Sequence, residues 1–108
     1  MENNRVHISA LIDLYGPVLS ERQRDVLELY YNDDLSLAEI AEDTGITRQG
    51  VRDAIKKGEK ELSEWEERLG FLAKTERLKE RAEEIAAAAE KGNDASLSAL
   101  ARQLLSEI

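Results

Sequence analysis

The sequence predicts an all-α protein, and three observations carry that reading. Ala, Leu, Glu, Lys and Arg dominate the 108 residues, whereas Val, Ile and Thr together number only 14, a balance that favours helix over sheet. Apolar residues recur at three- and four-residue spacing along most of the chain, the period of a helix that buries one face. Cap residues and glycines punctuate the pattern where helices should begin and end. Leu, Ile, Val and Phe make up 27 residues, a quarter of the chain, above the level at which a highly charged chain stays disordered.

The first periodic segment runs from Val6 to Tyr15 through Ile8, Leu11 and Ile12, and Gly16-Pro17 ends it, because proline disfavours helix at the residue before it. Ser20 with Gln23 forms a capping box for a second helix, whose apolar face is Val26, Leu27, Leu29, Tyr30 and Tyr31. Asn32-Asp33-Asp34 is a polar break. Ser36 with Glu39 is a second capping box, opening a short helix through Leu37, Ile40 and Ala41. Gly45 stands where a left-handed terminator belongs, and Thr47 caps the helix that follows. Two helices joined by a three- to four-residue turn containing glycine are the sequence form of a helix-turn-helix, here over about residues 36–58.

From Val51 the spacing alternates four and three, through Val51, Ile55, Gly58, Leu62, Trp65, Leu69 and Leu72, a heptad-like seam suited to dimerisation or packing. Gly58 interrupts it chemically, so either the helix bends there or another backbone approaches closely. A further helix is expected over 74–91 with the stripe Leu78, Ala82, Ile85 and Ala89. After Gly92-Asn93-Asp94, a last one spans 95–108 through Leu97, Leu100, Leu104 and Ile108. The expected organisation is a helix-turn-helix domain over 1–70 and a C-terminal helical hairpin over 71–108, the latter a dimerisation or packing element.

The net charge of −8 speaks, taken whole, against non-specific binding to nucleic acid or anionic membrane. Its distribution says more. Residues 47–60 carry Arg48, Arg52, Lys56, Lys57 and Lys60 against Asp53 and Glu59, a net +3, while the rest of the chain totals −11. Arg48, Arg52, Lys56 and Lys60 are four apart and share a helical face. The start of a recognition helix reaches base edges, where arginine pairs with guanine and glutamine with adenine. Arg48, Gln49 and Arg52 are therefore expected at bases, and Lys56, Lys57 and Lys60 at phosphates. Ser36 and Thr47, at the two capped helix starts, complete the expected DNA-contacting set. A plain helical hairpin with a solvated, internally paired basic face is the competing reading; the coincidence of charge and motif favours double-stranded DNA.

Ser36-Leu37-Ala38-Glu39-Ile40-Ala41 with Ile46-Thr47-Arg48-Gln49-Gly50-Val51-Arg52 resembles the helix-turn-helix of sigma-factor region 4. To about residue 85 the chain is more closely similar to the YlxM-like family. The matching blocks are Ser20-Glu21-Arg22-Gln23-Arg24, the run Leu27 to Asp34, Thr47 to Val51, and Glu64-Trp65-Glu66-Glu67-Arg68-Leu69. Gly50 and Arg52 depart from that family's pattern, where alanine and tyrosine are expected. The resemblance implies a sigma-like fold with a C-terminal helical extension, and a regulatory role in the signal recognition particle pathway inferred from gene neighbourhood. It also implies, as the alternative to DNA binding, a protein-interaction module acting on that particle's GTPase or RNA.

Other chemistry finds little support. Without cysteine there is no disulfide scaffold and no thiolate site. His7 is the only histidine, with no nucleophile to pair with it. Glu61, Glu64, Glu66 and Glu67 read as a solvated helical face rather than a metal site. Tyr15, Tyr30, Tyr31 and Trp65 read as core or interface rather than a base-stacking platform. No cofactor, metal or enzymatic activity is expected. No segment reaches the length of a membrane span, Met1 to Arg5 lacks an apolar signal core, and the chain reads as a cytoplasmic protein acting as a homodimer.

Overall fold

The computed structural model describes residues 2–107 and contains six α-helices and one 3₁₀ turn, with no strand among the described residues. The helices are α1 (Glu2–Tyr15), α2 (Glu21–Tyr31), α3 (Leu37–Thr44), α4 (Arg48–Leu69), α5 (Phe71–Glu90) and α6 (Asp94–Glu107), with the 3₁₀ turn Gly16–Val18 after α1. The chain falls into two compact units, Met1–Gly70 and Phe71–Ile108.

In the first unit, Ile8, Leu11, Ile12 and Tyr15 of α1 meet Val26 and Leu27 of α2, Ile40 of α3, and Val51, Ile55 and Leu62 of α4 in one core. Both capping boxes form. Ser20 accepts from the Gln23 amide at 3.2 Å while the Gln23 side chain accepts from Ser20 N, and Ser36 and Glu39 make the same reciprocal pair. Gly45 takes the left-handed conformation, φ 77°, that ends α3 and lets the chain turn into α4 within three residues. α1 begins four residues earlier than its apolar pattern predicts. Its first turns are held instead by Arg5, which donates at 2.7 Å to both the Tyr30 carbonyl and the Asp34 carboxylate. The guanidinium also lies over the Tyr30 and Tyr31 rings, 5.3 and 5.2 Å from their centroids.

The heptad-like seam does not continue as one helix to residue 72. Gly70, at φ 64°, ends α4 in a left-handed cap, and Leu72 belongs to α5. Val51, Ile55, Gly58 and Leu62 are buried inside the first unit, so this part of the seam packs that unit's core. Trp65 is half-buried and Leu69 is 46% exposed. At Gly58 the helix does not break, and what approaches is a side chain rather than a backbone: an added Cβ would lie 2.6 Å from Leu27 Cδ1.

The second unit is a hairpin of α5 and α6, turned at Gly92 (φ 66°) and capped by Asn93, whose Oδ1 accepts from Ser96 N at 3.1 Å. Its inward stripe on α5 is Leu78, Arg81, Ile85 and Ala88, not the expected Leu78, Ala82, Ile85 and Ala89, since Ala82 and Ala89 are exposed. Arg81 reaches Glu84 at 3.2 Å and Glu107 at 3.6 Å, so its stem covers apolar surface while its head is paired. Leu97, Leu100 and Leu104 of α6 are half-buried; Ile108, expected to close their stripe, lies outside the described residues.

Candidate nucleic-acid interface

Packing fixes the orientation of α4. Val51, Ile55, Gly58 and Leu62 face the core, which leaves Arg48, Gln49, Arg52, Lys56 and Lys60 exposed on the outer side. Successive members of the four-residue series drift by about 40° around the helix, so Arg48, Arg52, Lys56 and Lys60 form one slanting stripe. Lys57 is exposed too, but sits about 100° round from Lys56, off that stripe.

Thr47 caps α4, its hydroxyl accepting from Gly50 N at 2.9 Å. Ser36 Oγ accepts from Glu39 N at 3.1 Å, and Glu39 Oε1 accepts from Ser36 N at 3.0 Å. Ser36 therefore serves as the cap of α3, and its own amide and that of Glu39 are satisfied within the box. The hydrogen bonds from the Ser36 backbone and then its side chain hold the Glu39 carboxyl below its ordinary range.

None of the five cations forms an ion pair among the described residues. The two acids interspersed with them are engaged by uncharged donors instead. Gln49 Nε2 donates to Asp53 Oδ1 at 2.9 Å, one turn along the helix, and Tyr31 Oη donates to Glu59 Oε1 from α2. Burial, followed by the Glu59 hydrogen bond, raises the Tyr31 pKa well above the ordinary phenol value, which keeps the hydroxyl in its donating form. Tyr31, Arg52, Lys56 and Glu59 line a cleft of about 400 Å³, with Tyr30, Leu37 and Ile55 beneath.

Spacing alone makes the Gln49–Asp53 contact legible, since residues four apart face one another on a helix. The Tyr31–Glu59 contact spans 28 residues and has no local signal. Tyr15 likewise donates to Glu66 at 2.6 Å across 51 residues, which draws one member of the acidic run into a tie between α1 and α4. Tyr15 is buried, while Tyr30, Tyr31 and Trp65 are half-buried. His7 is exposed. No group of acidic or histidine side chains suited to a metal occurs among the described residues, and none of the described helices is long and apolar enough to cross a membrane.

Residues 2–101 match the family model described as "Putative helix-turn-helix protein, YlxM / p13 like". The match therefore extends past residue 85 and well into α6. Similar proteins include the UPF0122 protein of Symbiobacterium thermophilum, 43% identical over 97 residues that cover 90% of this chain and 88% of the relative. The UPF0122 protein of Clostridium botulinum is 51% identical over 74 residues, 68% of each chain. That of Caldanaerobacter subterraneus is 41% identical over 85 residues, 79% of this chain and 73% of the relative. With its cap residues, turn glycine and core positions all in place, the chain belongs to the YlxM / p13-like family of helix-turn-helix proteins.

Proposed function

We propose that this protein binds double-stranded DNA through α3 and α4 and acts as a regulator. One observation carries the reading: five exposed cations on the second helix of the motif have no acid partner among the described residues, although two acids lie among them. A solvated, internally neutralised face would pair these groups with each other. Arg48, Arg52 and Gln49 are the candidates for base edges, Gln49 keeping one amide N–H and its oxygen beyond the bond to Asp53. Lys56 and Lys60 are the candidates for phosphates, with Lys57 at the margin of the contact.

A single motif with so few cations binds weakly, and a homodimer would double the phosphates engaged. The test is fluorescence anisotropy with a labelled duplex, titrated with salt from about 50 mM upward. The wild-type chain is expected to bind with an affinity that falls steeply with salt, and Arg48→Ala with Arg52→Ala to abolish binding. A wild type that never binds the duplex at low salt overturns the reading.

A second reading rests on the acidic remainder of the chain. Asp25, Glu28, Asp33 and Asp43, with Arg22 as the one cation, line a groove of about 390 Å³ along α2 and the end of α3, and the residues outside 47–60 total −11. Such a surface complements a basic partner, and in the signal recognition particle pathway the candidates are its GTPase and its ribonucleoprotein. Co-purification with that particle, or a change in its GTP turnover, supports this reading; the absence of both effects removes it.

A further inference from the structure

Within the basic segment of α4, Glu59 is the acid best placed to spoil the stripe. It lies one turn beyond Lys56 and two beyond Arg52, and shares with both the cleft beside α2. At these helical spacings a free carboxylate would pair with Lys56. In the structure it pairs with neither, because the Tyr31 hydroxyl takes it. That hydroxyl is itself well anchored. Tyr30 meets the Tyr31 ring edge-to-face at 5.0 Å, and the Arg5 guanidinium covers it at 5.2 Å. Arg5 is fixed in turn by Tyr30 O and Asp34.

We infer that Tyr31 is a positioning residue for DNA binding: its hydroxyl holds the Glu59 carboxylate against α2, which leaves Lys56 and Arg52 available to phosphate. The inference rests on the DNA-binding reading above. Without the hydroxyl, Glu59 turns toward Lys56 and removes one cation from the contact. The loss should register in the salt dependence of binding as well as its strength, because each neutralised phosphate contributes about 0.9 to the slope of log K against log salt.

The experiment compares wild type, Tyr31→Phe, Glu59→Gln and the double variant on one labelled random-sequence duplex across a salt series. Tyr31→Phe is expected to bind about three- to tenfold more weakly, with a slope shallower by about 0.9. Glu59→Gln should gain at most about twofold in the wild-type background, and should restore both affinity and slope when added to Tyr31→Phe. A purely structural role for Tyr31 predicts a loss that Glu59→Gln does not rescue, and that result overturns the inference. So does a Tyr31→Phe variant with wild-type affinity and slope, or an equal gain from Glu59→Gln in both backgrounds. These outcomes leave the DNA-binding reading standing; failure of the wild type to bind the duplex overturns both.

Discussion

Gly58 of α4 receives the side chain of Leu27 from α2 so closely that a Cβ there would lie 2.6 Å from Leu27 Cδ1 and 3.2 Å from its Cγ. Leu27 is fully buried and has nowhere to retreat. Replacing a mid-helix glycine by alanine ordinarily gains up to about 1 kcal/mol; here the overpacking cost, about 1–3 kcal/mol, is larger. Gly58→Ala is therefore expected to lower stability in urea unfolding. Leu27→Ala alone should cost about 2–5 kcal/mol, and the two together less than their sum, because the second removes the clash of the first.

The capping box that starts α3 gives a pH signature. The Ser36 hydrogen bonds depress the Glu39 pKa in the folded state below its ordinary value of 4.5. The unfolded chain then binds the extra proton first, so this contribution is present above pH 4.5 and is lost as pH falls through the depressed folded value. Urea unfolding as a function of pH should show that loss, and Glu39→Gln should flatten it. Ser36→Ala removes the cap oxygen at any pH, at a cost of about 1 kcal/mol.

The stripe on α4 predicts unequal roles for adjacent lysines. Lys56→Ala should reduce the salt slope of DNA binding by about 0.9. Lys57→Ala, about 100° round the helix, should change it by less than half as much. Equal effects in the same anisotropy titration would mean that DNA meets α4 on a different face.

The C-terminal hairpin is the proposed site of dimerisation. Only Leu72 and Ala88 of its described residues are buried, and Leu105 is 71% exposed. Its charge is also divided: residues 83–99, around the turn, carry a net −3, and the described residues at the open end carry +2. Two copies set antiparallel would match these ends. Sedimentation equilibrium should find a dimer that Leu105→Glu converts to monomer, with a shallower DNA salt slope. A wild-type chain that stays monomeric at tens of micromolar would overturn the proposed dimer.

What could be read in advance divides by the reach of the interaction. Ser20, Ser36, Gly45 and Thr47 act on backbone within three or four residues, so their caps and turns were evident from the order of residue types. The buried face of α4 up to Leu62 followed from its period. Local residue order is silent where a distant partner decides. Arg5 extends α1 by bonding residues 25 and 29 positions away. Arg81 takes an inward position on α5 because Glu107 of α6 receives it, which shifts the stripe from Ala82 and Ala89 to Arg81 and Ala88. The end of the seam is a third case: Gly70 stops α4 in a left-handed cap, so the apolar spacing to Leu72 crosses from one helix into the next. For the interface, residue identity marked the cations, but that they stand unpaired depends on Tyr31, which no spacing connects to Glu59.

The engagement of Asp53 and Glu59 by Gln49 and Tyr31 also bears on kinetics. On the DNA-binding reading, no ion pair among the described residues has to open before phosphates can meet the stripe, so association should be limited by diffusional encounter and orientation. Ionic strength would then act mainly on the association rate, through the field of one basic helix set in an acidic body. Complex lifetime would be governed by the few groups at base edges. Stopped-flow association measured against salt would separate the two, with the rate of capture set by the stripe and the residence time by Arg48 and Arg52.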